Sequence, residues 1–218
     1  MEMGTEIQAS QKTLLYPLSE FYSRNRIAGP VAHATAPDSL PSPFRRLLVH
    51  GGEMTSALEA YTGGRIAIRV LSRHIARSYS RRVLIVRESD GCPIGMAAIR
   101  VRLSLVEPEV AAEILAEQRP FGRIMRETGN GIYKSCPEAF FEAEPNEELQ
   151  GFFWQSNSST MYGRRGALMW NGLKIGQVVE ILRADIARLG SDVPVPGDGY
   201  LTPRESLLAA ESARPDLF

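Results

Sequence analysis

The alternation of apolar and polar side chains along this chain predicts a set of strands. Residues 161–182 form two apolar segments separated by a turn at Asn171-Gly172-Leu173, which is the pattern of two joined strands. Earlier in the chain, Ile66 and Ile68 alternate with arginine and alanine, which favours a strand over a helix. Further extended segments are predicted over residues 65–77, 82–86, 93–105 and 132–143.

Apolar residues spaced three and four positions apart predict helices between these strands. A helix over about 54–61 should end at Gly63-Gly64, because glycine is favoured just after a helix. Residues 30–43 are rich in proline, alanine and serine and should be an extended connection. Strand hairpins with helices set between them indicate an α+β fold, an antiparallel sheet flanked by helices. The other helical segments are predicted within 14–22, over 44–49 and 107–118, from 123 onward, and over 145–151.

Composition narrows the class of protein. The 218 residues include 25 Lys and Arg and 25 Asp and Glu, and a formal charge of zero argues against a large nucleic-acid surface. No apolar run is long enough to span a membrane, and no signal peptide is visible, so a cytoplasmic protein is expected. Two cysteines and three scattered histidines offer no zinc spacing, so we expect no metal and reduced thiols.

Five arginines recur at every fourth position, at residues 65, 69, 73, 77 and 81. On a continuous strand this spacing places them on one face. The functional interpretation is a stripe that binds anions or nucleic acid. The neutral charge balance favours the alternative, a solvated outer face.

Glu180 lies in the middle of an apolar strand. Its neighbours on both strand faces, including Val178, Val179 and Ile181, are apolar, so the side chain should be partly buried. A buried carboxylate is costly unless it is paired, hydrogen-bonded or kept protonated. Two interpretations follow: Glu180 moves a proton in a functional site, or it pairs with an arginine and does nothing more.

Four short segments occur in a recognisable order ahead of Glu180: Glu53-Met-Thr-Ser56, Tyr79-Ser-Arg81-Arg-Val-Leu-Ile85, Pro120-Phe-Gly-Arg-Ile124 and Gly163-Arg-Arg165. Together with that glutamate they resemble chorismate pyruvate-lyase, the enzyme that makes 4-hydroxybenzoate, over about residues 47–182. The resemblance implies a chorismate lyase-like domain over 47–188. It leaves an N-terminal extension over 1–46, with a short helix and a Pro-rich connection, and a C-terminal tail over 189–218.

The resemblance also implies a site. Arg81 would hold the ring carboxylate of an aromatic or cyclohexadiene acid, as arginine suits bidentate carboxylate binding. Glu180 would contact the ring hydroxyl or protonate the departing ether, which makes Arg81 and Glu180 the catalytic candidates. Either Arg164 or Arg165 would neutralise the pyruvyl carboxylate. The substrate-binding residues implied are Met54, Thr55, Phe121, Gly122, Arg164 and Arg165.

The expected function is therefore a carbon–oxygen lyase that eliminates pyruvate from chorismate without a cofactor. Phe121 departs from the Pro-Leu-Gly bend of that family and should reshape the ring pocket. The alternatives are an enzyme acting on another cyclic carboxylate and a non-catalytic sensor or binding protein for an aromatic acid, because fold does not decide function. Regulators with this fold carry a helix-turn-helix domain, for which we expect no room here. A binding protein would keep the arginine without needing the glutamate.

Overall fold

Seven strands form one antiparallel sheet in the computed structural model, which describes residues 12–154 and 158–190. The strand order across the sheet is β1-β5-β6-β7-β4-β3-β2. The strands are β1 (Val31–Thr35), β2 (Ile66–Ile75), β3 (Tyr79–Arg87), β4 (Pro93–Val101), β5 (Tyr133–Glu144), β6 (Met161–Trp170) and β7 (Leu173–Leu182).

Helices cover both faces of this sheet, because each strand alternates apolar side chains between two cores. On β3, Leu84 and Val86 face a core that the first and last helices complete. Val83 and Ile85 face the opposite side, under the second and third helices. The helices are α1 (Leu18–Asn25), α2 (Phe44–Leu48), α3 (Met54–Thr62), α4 (Pro108–Ala116), α5 (Phe121–Glu127) and α6 (Glu147–Phe153).

The predicted fold class, an antiparallel sheet flanked by helices in an α+β arrangement, is confirmed. The predicted helix end at Gly63 is also confirmed, with the glycine in the left-handed conformation at φ 67°. The turn between β6 and β7 is the two-residue segment Asn171-Gly172, and both residues have positive φ, 49° and 79°. Such a turn matches the twist of the strands that it joins. Among the described residues, no helix has the length and apolar character needed to cross a membrane.

The segment predicted to be an extended connection contains a strand of the sheet. Val31–Thr35 pairs with β5 as the edge strand β1. Leu18 and Phe21 of α1 are buried in the core on the same side as Leu84. Residues from the predicted N-terminal extension thus contribute to the core, while the boundary at residue 46 stays a prediction. The tail predicted from 189 lies outside the described residues after Gly190.

The prediction that five arginines share one strand face is wrong, because only Arg69 and Arg73 of the five lie in β2. The chain reverses after Ile75, with the Ala76 amide donating to the Ser78 carbonyl at 3.1 Å, so Arg81 belongs to β3 and not to β2. Arg73 keeps 59% of its side chain exposed, whereas Arg81 is 2% exposed. The spacing of four residues between the arginines therefore continues across the turn between β2 and β3, and the five arginines do not form one surface.

Gly163 on β6 allows two strands and a buried ring to approach closely. A Cβ atom at this position would lie 2.6 Å from the carbonyl oxygen of Glu180 and would also meet the Phe141 ring. Neither the β7 backbone nor a fully buried ring can move aside without disturbing the core.

Gly163→Ala should lower the free energy of unfolding by about 1–3 kcal/mol, as expected for overpacking a core. Gly151→Ala is the matched control, because Gly151 lies in α6 and a Cβ there meets nothing within 4 Å. The control should be neutral or stabilising by up to about 1 kcal/mol, since alanine is the better helix former. Urea denaturation of the three proteins measures this, and equal midpoints would contradict the packing argument.

Candidate functional site

A cavity of about 60 Å³ lies between the sheet and the first residues of α3 and α5. Its walls are mostly apolar, and six polar side chains also line it. The apolar lining residues are Met54, Ile66, Ile68, Val83, Ile85, Ala97, Ile99, Pro120, Phe121, Leu168 and Val178, with Gly122. The polar lining residues are Glu53, Thr55, Arg81, Tyr133, Ser135 and Glu180.

The strand register separates the two charged residues predicted to be catalytic. Arg81 on β3 is opposite Ile99 on β4, whereas Glu180 on β7 is opposite Ala97 on β4. They are therefore two strands apart and two residues apart along the strands. Standard sheet spacings put their Cα atoms roughly 12 Å apart. Both line one cavity, as predicted, but from opposite sides.

Arg81 is buried on an otherwise apolar strand face. Its Nη2 donates to the backbone carbonyl of Arg119 at 3.0 Å. Its Nη1 is buried and has no hydrogen-bond partner within the described residues. Burial disfavours the charged form and lowers the pKa of Arg81. The negative charge of Glu117, which accepts from the Tyr79 hydroxyl at 2.7 Å, acts against this shift in the pKa of Arg81.

Three other buried arginines differ from Arg81 because each pairs with a carboxylate. Arg82 pairs with Glu148, Arg164 with Glu180 and Arg183 with Asp185, each at 2.6 Å. In the part of the chain that the structure describes, no carboxylate lies within ion-pair distance of Arg81. A buried, uncompensated charge is unfavourable, so an anion in the cavity would stabilise this arrangement.

Glu180 forms a buried ion pair with Arg164, its cross-strand neighbour on β6. The Arg164 Nε donates to Oε2 of Glu180 at 2.6 Å, and the two residues are 1% and 8% exposed. Arg164 also donates to the carbonyls of Leu48 and His50 at 3.0 and 2.9 Å. Burial, and after it the charge of Arg164, lowers the pKa of His50. Of the two interpretations of Glu180, pairing with an arginine is the one observed.

The structure brings neither arginine of the Gly163-Arg164-Arg165 segment of β6 into the cavity. The guanidinium of Arg164 is used by Glu180 and by backbone carbonyls. Arg165 is the next residue on the strand and faces the opposite side of the sheet. There its Nη1 donates to the Thr13 carbonyl at 3.0 Å and its Nη2 lies 3.3 Å from Glu138. Neither Arg164 nor Arg165 therefore has a free guanidinium in the cavity. The expectation that one of them neutralises a second carboxylate of the ligand finds no support in this arrangement.

The two helix starts predicted to bind the ligand do meet at the cavity. Met54 and Thr55 begin α3, and Phe121 and Gly122 begin α5. A Cβ atom on Gly122 would lie 2.8 Å from the Cβ atom of Glu53, so glycine allows the two segments to touch. All four predicted positions thus lie in the cavity wall, while their role in binding stays a prediction.

Three polar residues of the cavity were not predicted as site residues. Glu53 lies within the first quoted segment, directly before the start of α3. Its acidic side chain next to apolar Met54 could have identified it as a site residue. Tyr133 and Ser135 alternate on β5, and their period of two on an extended segment could have identified them. Burial raises the pKa of Tyr133. Within the described ranges, no cluster of His, Cys, Asp or Glu could hold a metal ion.

Comparisons with known proteins find similarity at the level of the fold. No protein-family model matches the sequence, and no curated protein does. PhnF from Mycobacterium smegmatis is 12% identical with a TM-score of 0.49, over 63% of this chain and 66% of that one. Its effector domain is matched over 92% of its length, with 12% identity and a TM-score of 0.47. A GntR-family transcriptional regulator from Bacillus cereus is 11% identical, with a TM-score of 0.38 over 63% and 99% of the chains.

The expectation that this chain is a carbon–oxygen lyase is wrong. The similar solved structures include an effector domain and a transcriptional regulator. The cavity provides the physical reason, because the carboxylate expected to protonate a departing ether is bound by Arg164 at 2.6 Å. The arginines expected to hold the second carboxylate of the substrate are engaged elsewhere.

Glu180→Gln should lower the free energy of unfolding by about 3–5 kcal/mol, because it leaves the Arg164 charge buried without a counter-charge. Glu88→Gln is the matched control, since Glu88 is 55% exposed and lies 3.5 Å from an exposed arginine. The control should change stability by less than about 1 kcal/mol. Urea denaturation measures both variants, and a Glu180→Gln midpoint equal to that of the control would remove the ion pair from the stability argument.

Proposed function

We propose that this domain binds a small carboxylic acid without transforming it, and that Arg81 holds the carboxylate. The single observation that carries the proposal is the buried Arg81 guanidinium, whose Nη1 has no hydrogen-bond partner and which has no carboxylate within ion-pair distance among the described residues. A ligand carboxylate would accept from Nη1 and from the remaining hydrogen of Nη2, which restores both hydrogen bonding and charge balance.

The rest of the cavity suits the apolar body of such an acid. Branched side chains from β2, β3 and β4 form its walls, with Phe121 at the start of α5. The volume of about 60 Å³ is below the roughly 300–1,000 Å³ of pockets for drug-sized ligands. A compact acid is therefore favoured. An aromatic acid, which the sequence resemblance suggests, would bind if Phe121 and its neighbours move outward.

Binding without catalysis is supported by the state of the acidic groups in the cavity. Glu180 accepts from Arg164, and Glu53 is paired with Arg126 and accepts from Ser56 at 2.6 Å. General acid–base catalysis needs a group that can exchange a proton near the operating pH. Burial moves the pKa of Tyr133 further above its ordinary value, so its hydroxyl is also a poor acid. The proposal agrees in kind with the effector domain among the similar structures, although fold likeness assigns no ligand.

Arg81→Met should weaken the binding of benzoate or 4-hydroxybenzoate by at least roughly 30-fold, because a charge-assisted contact at a buried site is lost. Arg45→Met is the control, since Arg45 is 57% exposed and pairs with exposed Asp38. Its affinity should equal that of the wild type. Isothermal titration calorimetry compares the three proteins, and equal affinities of Arg81→Met and wild type would exclude Arg81 from the site.

The same variant should also keep or raise the stability of the ligand-free protein. Replacing an unpaired buried charge by an apolar side chain of similar length removes a desolvation penalty. Ligand should raise the melting temperature of the wild type and not that of Arg81→Met, since only the wild type binds it. A large loss of stability in ligand-free Arg81→Met would instead identify Arg81 as a structural residue and contradict the proposal.

A further inference from the structure

Positive charge is in excess in the part of the chain that the structure describes. Residues 1–11, 155–157 and 191–218 hold two of the 25 Lys and Arg residues and seven of the 25 Asp and Glu residues. Residues 12–154 and 158–190 therefore carry an excess of five positive charges. The neutral balance of the whole chain, which argued against a nucleic-acid surface, does not hold for these ranges.

Two adjoining surface grooves collect this positive charge. Their volumes are about 340 and 680 Å³. Because Tyr16 and Gln177 line both, they form one continuous recess, which we call the basic groove. Seven Lys and Arg side chains line it, together with one carboxylate, that of Glu20.

Most of the cations in the basic groove have no counter-charge. Arg100 pairs with Glu20 at 2.7 Å, and the adjacent Glu138 is shared by Arg165 and Lys174 at 3.3 and 2.7 Å. These two carboxylates face seven cations, so the groove accounts for an excess of five charges. The cations without a carboxylate in ion-pair distance, among the described residues, are Lys12, Arg24, Arg77 and Arg102.

The basic groove lies on the face of the sheet opposite to the cavity. Arg100 on β4 donates to Glu20 of α1 at 2.7 Å, so its side chain is on the α1 side. Arg81 is opposite Ile99, the strand neighbour of Arg100. Because successive side chains of a strand point to opposite faces, Arg81 and Arg100 are separated by the sheet. A ligand in the cavity would therefore not occupy this groove.

The charge density of the basic groove matches that of a nucleic-acid strand. The groove extends from Arg77, in the turn before β3, across β4 and β7 to Arg165 on β6. Three interstrand steps make this distance roughly 14 Å. Five uncompensated charges over such a length, or slightly more, are roughly one charge every 3–4 Å. A nucleic-acid strand carries one phosphate about every 3.4 Å.

The side chains of the basic groove also suit phosphate. Five of its seven cations are arginines, whose planar guanidinium can bind a phosphate through two hydrogen bonds. Ser23 and Ser78 add hydroxyl groups, which are common partners of nucleic-acid phosphates. Recognition of a duplex usually inserts a helix or a β-ribbon into a groove of the DNA. Here the protein offers a positively charged recess, the form that follows the backbone of a single strand.

We infer that the basic groove binds single-stranded nucleic acid through its phosphates, without reading the base sequence. The inference rests on the density of uncompensated cations in a recess and on their arginine and hydroxyl chemistry. It adds a second binding surface to the protein and does not depend on the proposed binding of a small acid. An acidic polypeptide is the competing occupant, and the experiment distinguishes the two.

The test measures the fluorescence anisotropy of a labelled oligothymidylate of about 15 nucleotides in roughly 50 mM salt. The wild type should bind, and the logarithm of its affinity should fall with the logarithm of salt concentration at a slope of roughly −3, as expected for about four phosphate contacts. The double variant Arg77→Gln/Arg102→Gln should bind at least roughly 10-fold more weakly, with a slope shallower by about 1.4, because two contacts are lost.

The matched control is Arg45→Gln/Arg65→Gln, which changes the net charge by the same amount. Both side chains are exposed, 57% and 74%, and neither lines the basic groove. The control should stay within about twofold of the wild type, because salt screens distant surface charges.

A second variant protects the test against misfolding, since Arg102 also donates to the Lys174 carbonyl at 2.8 Å. Arg77→Glu changes an exposed turn residue that has no hydrogen bond or ion pair to a described residue. It should weaken oligothymidylate binding at least as much as the double variant, whereas Arg65→Glu should have little effect. Melting curves of all variants establish that each is folded before titration.

Each remaining outcome overturns the inference. Absence of binding to the wild type, or equal losses in the groove and control variants, removes the basic groove as a nucleic-acid surface. If polyglutamate displaces the labelled strand as well as unlabelled oligothymidylate does at equal charge, the groove fits an acidic polypeptide instead. Displacement by benzoate would place the strand in the cavity. Failure of benzoate to bind at all contradicts only the proposed function and leaves this test unchanged.

Discussion

The buried ion pair between Arg164 and Glu180 connects the centre of the sheet to the segment that precedes α3. Arg164 donates to Glu180 on the neighbouring strand and to the carbonyls of Leu48, His50 and Gly52, the last at 3.4 Å. One guanidinium thus satisfies a buried carboxylate and accepting carbonyls of the segment between α2 and α3. Because α3 begins directly after this turn, the pair also positions the helix start that forms one wall of the cavity.

A second consequence of this arrangement is the charge distribution inside the cavity. Each of its two carboxylates is neutralised by an arginine that is not part of the cavity wall, Glu180 by Arg164 and Glu53 by Arg126. Arg81 is the cation of the wall that has no such compensation among the described residues. The protein therefore maintains a net positive site in an apolar environment, where electrostatic interactions with an anion are weakly screened.

The sheet register explains why similar residues in this chain have different roles. Arg81 and Arg82 are adjacent, yet they face opposite sides of β3, and only Arg82 meets a carboxylate, that of Glu148. Arg164 and Arg165 repeat this alternation on β6. Local composition cannot distinguish the members of either pair, because both positions lie in the same kind of segment. Their partners come from elements 16 to 152 residues away in the chain.

The sequence by itself determined the fold class and most elements, because hydrophobic periodicity and turn residues act over a few positions. Through the order of short segments it also singled out Arg81, Glu180 and the two helix starts, which line one cavity, while their role in binding stays a prediction. It could not show that β1 joins the sheet, since edge pairing depends on a partner more than 100 residues away, Glu144 for Val31. Nor could it show which arginine pairs with Glu180 and which remains unpaired. Burial and charge compensation are properties of the assembled chain, and these decided between an acid catalyst and a buried ion pair.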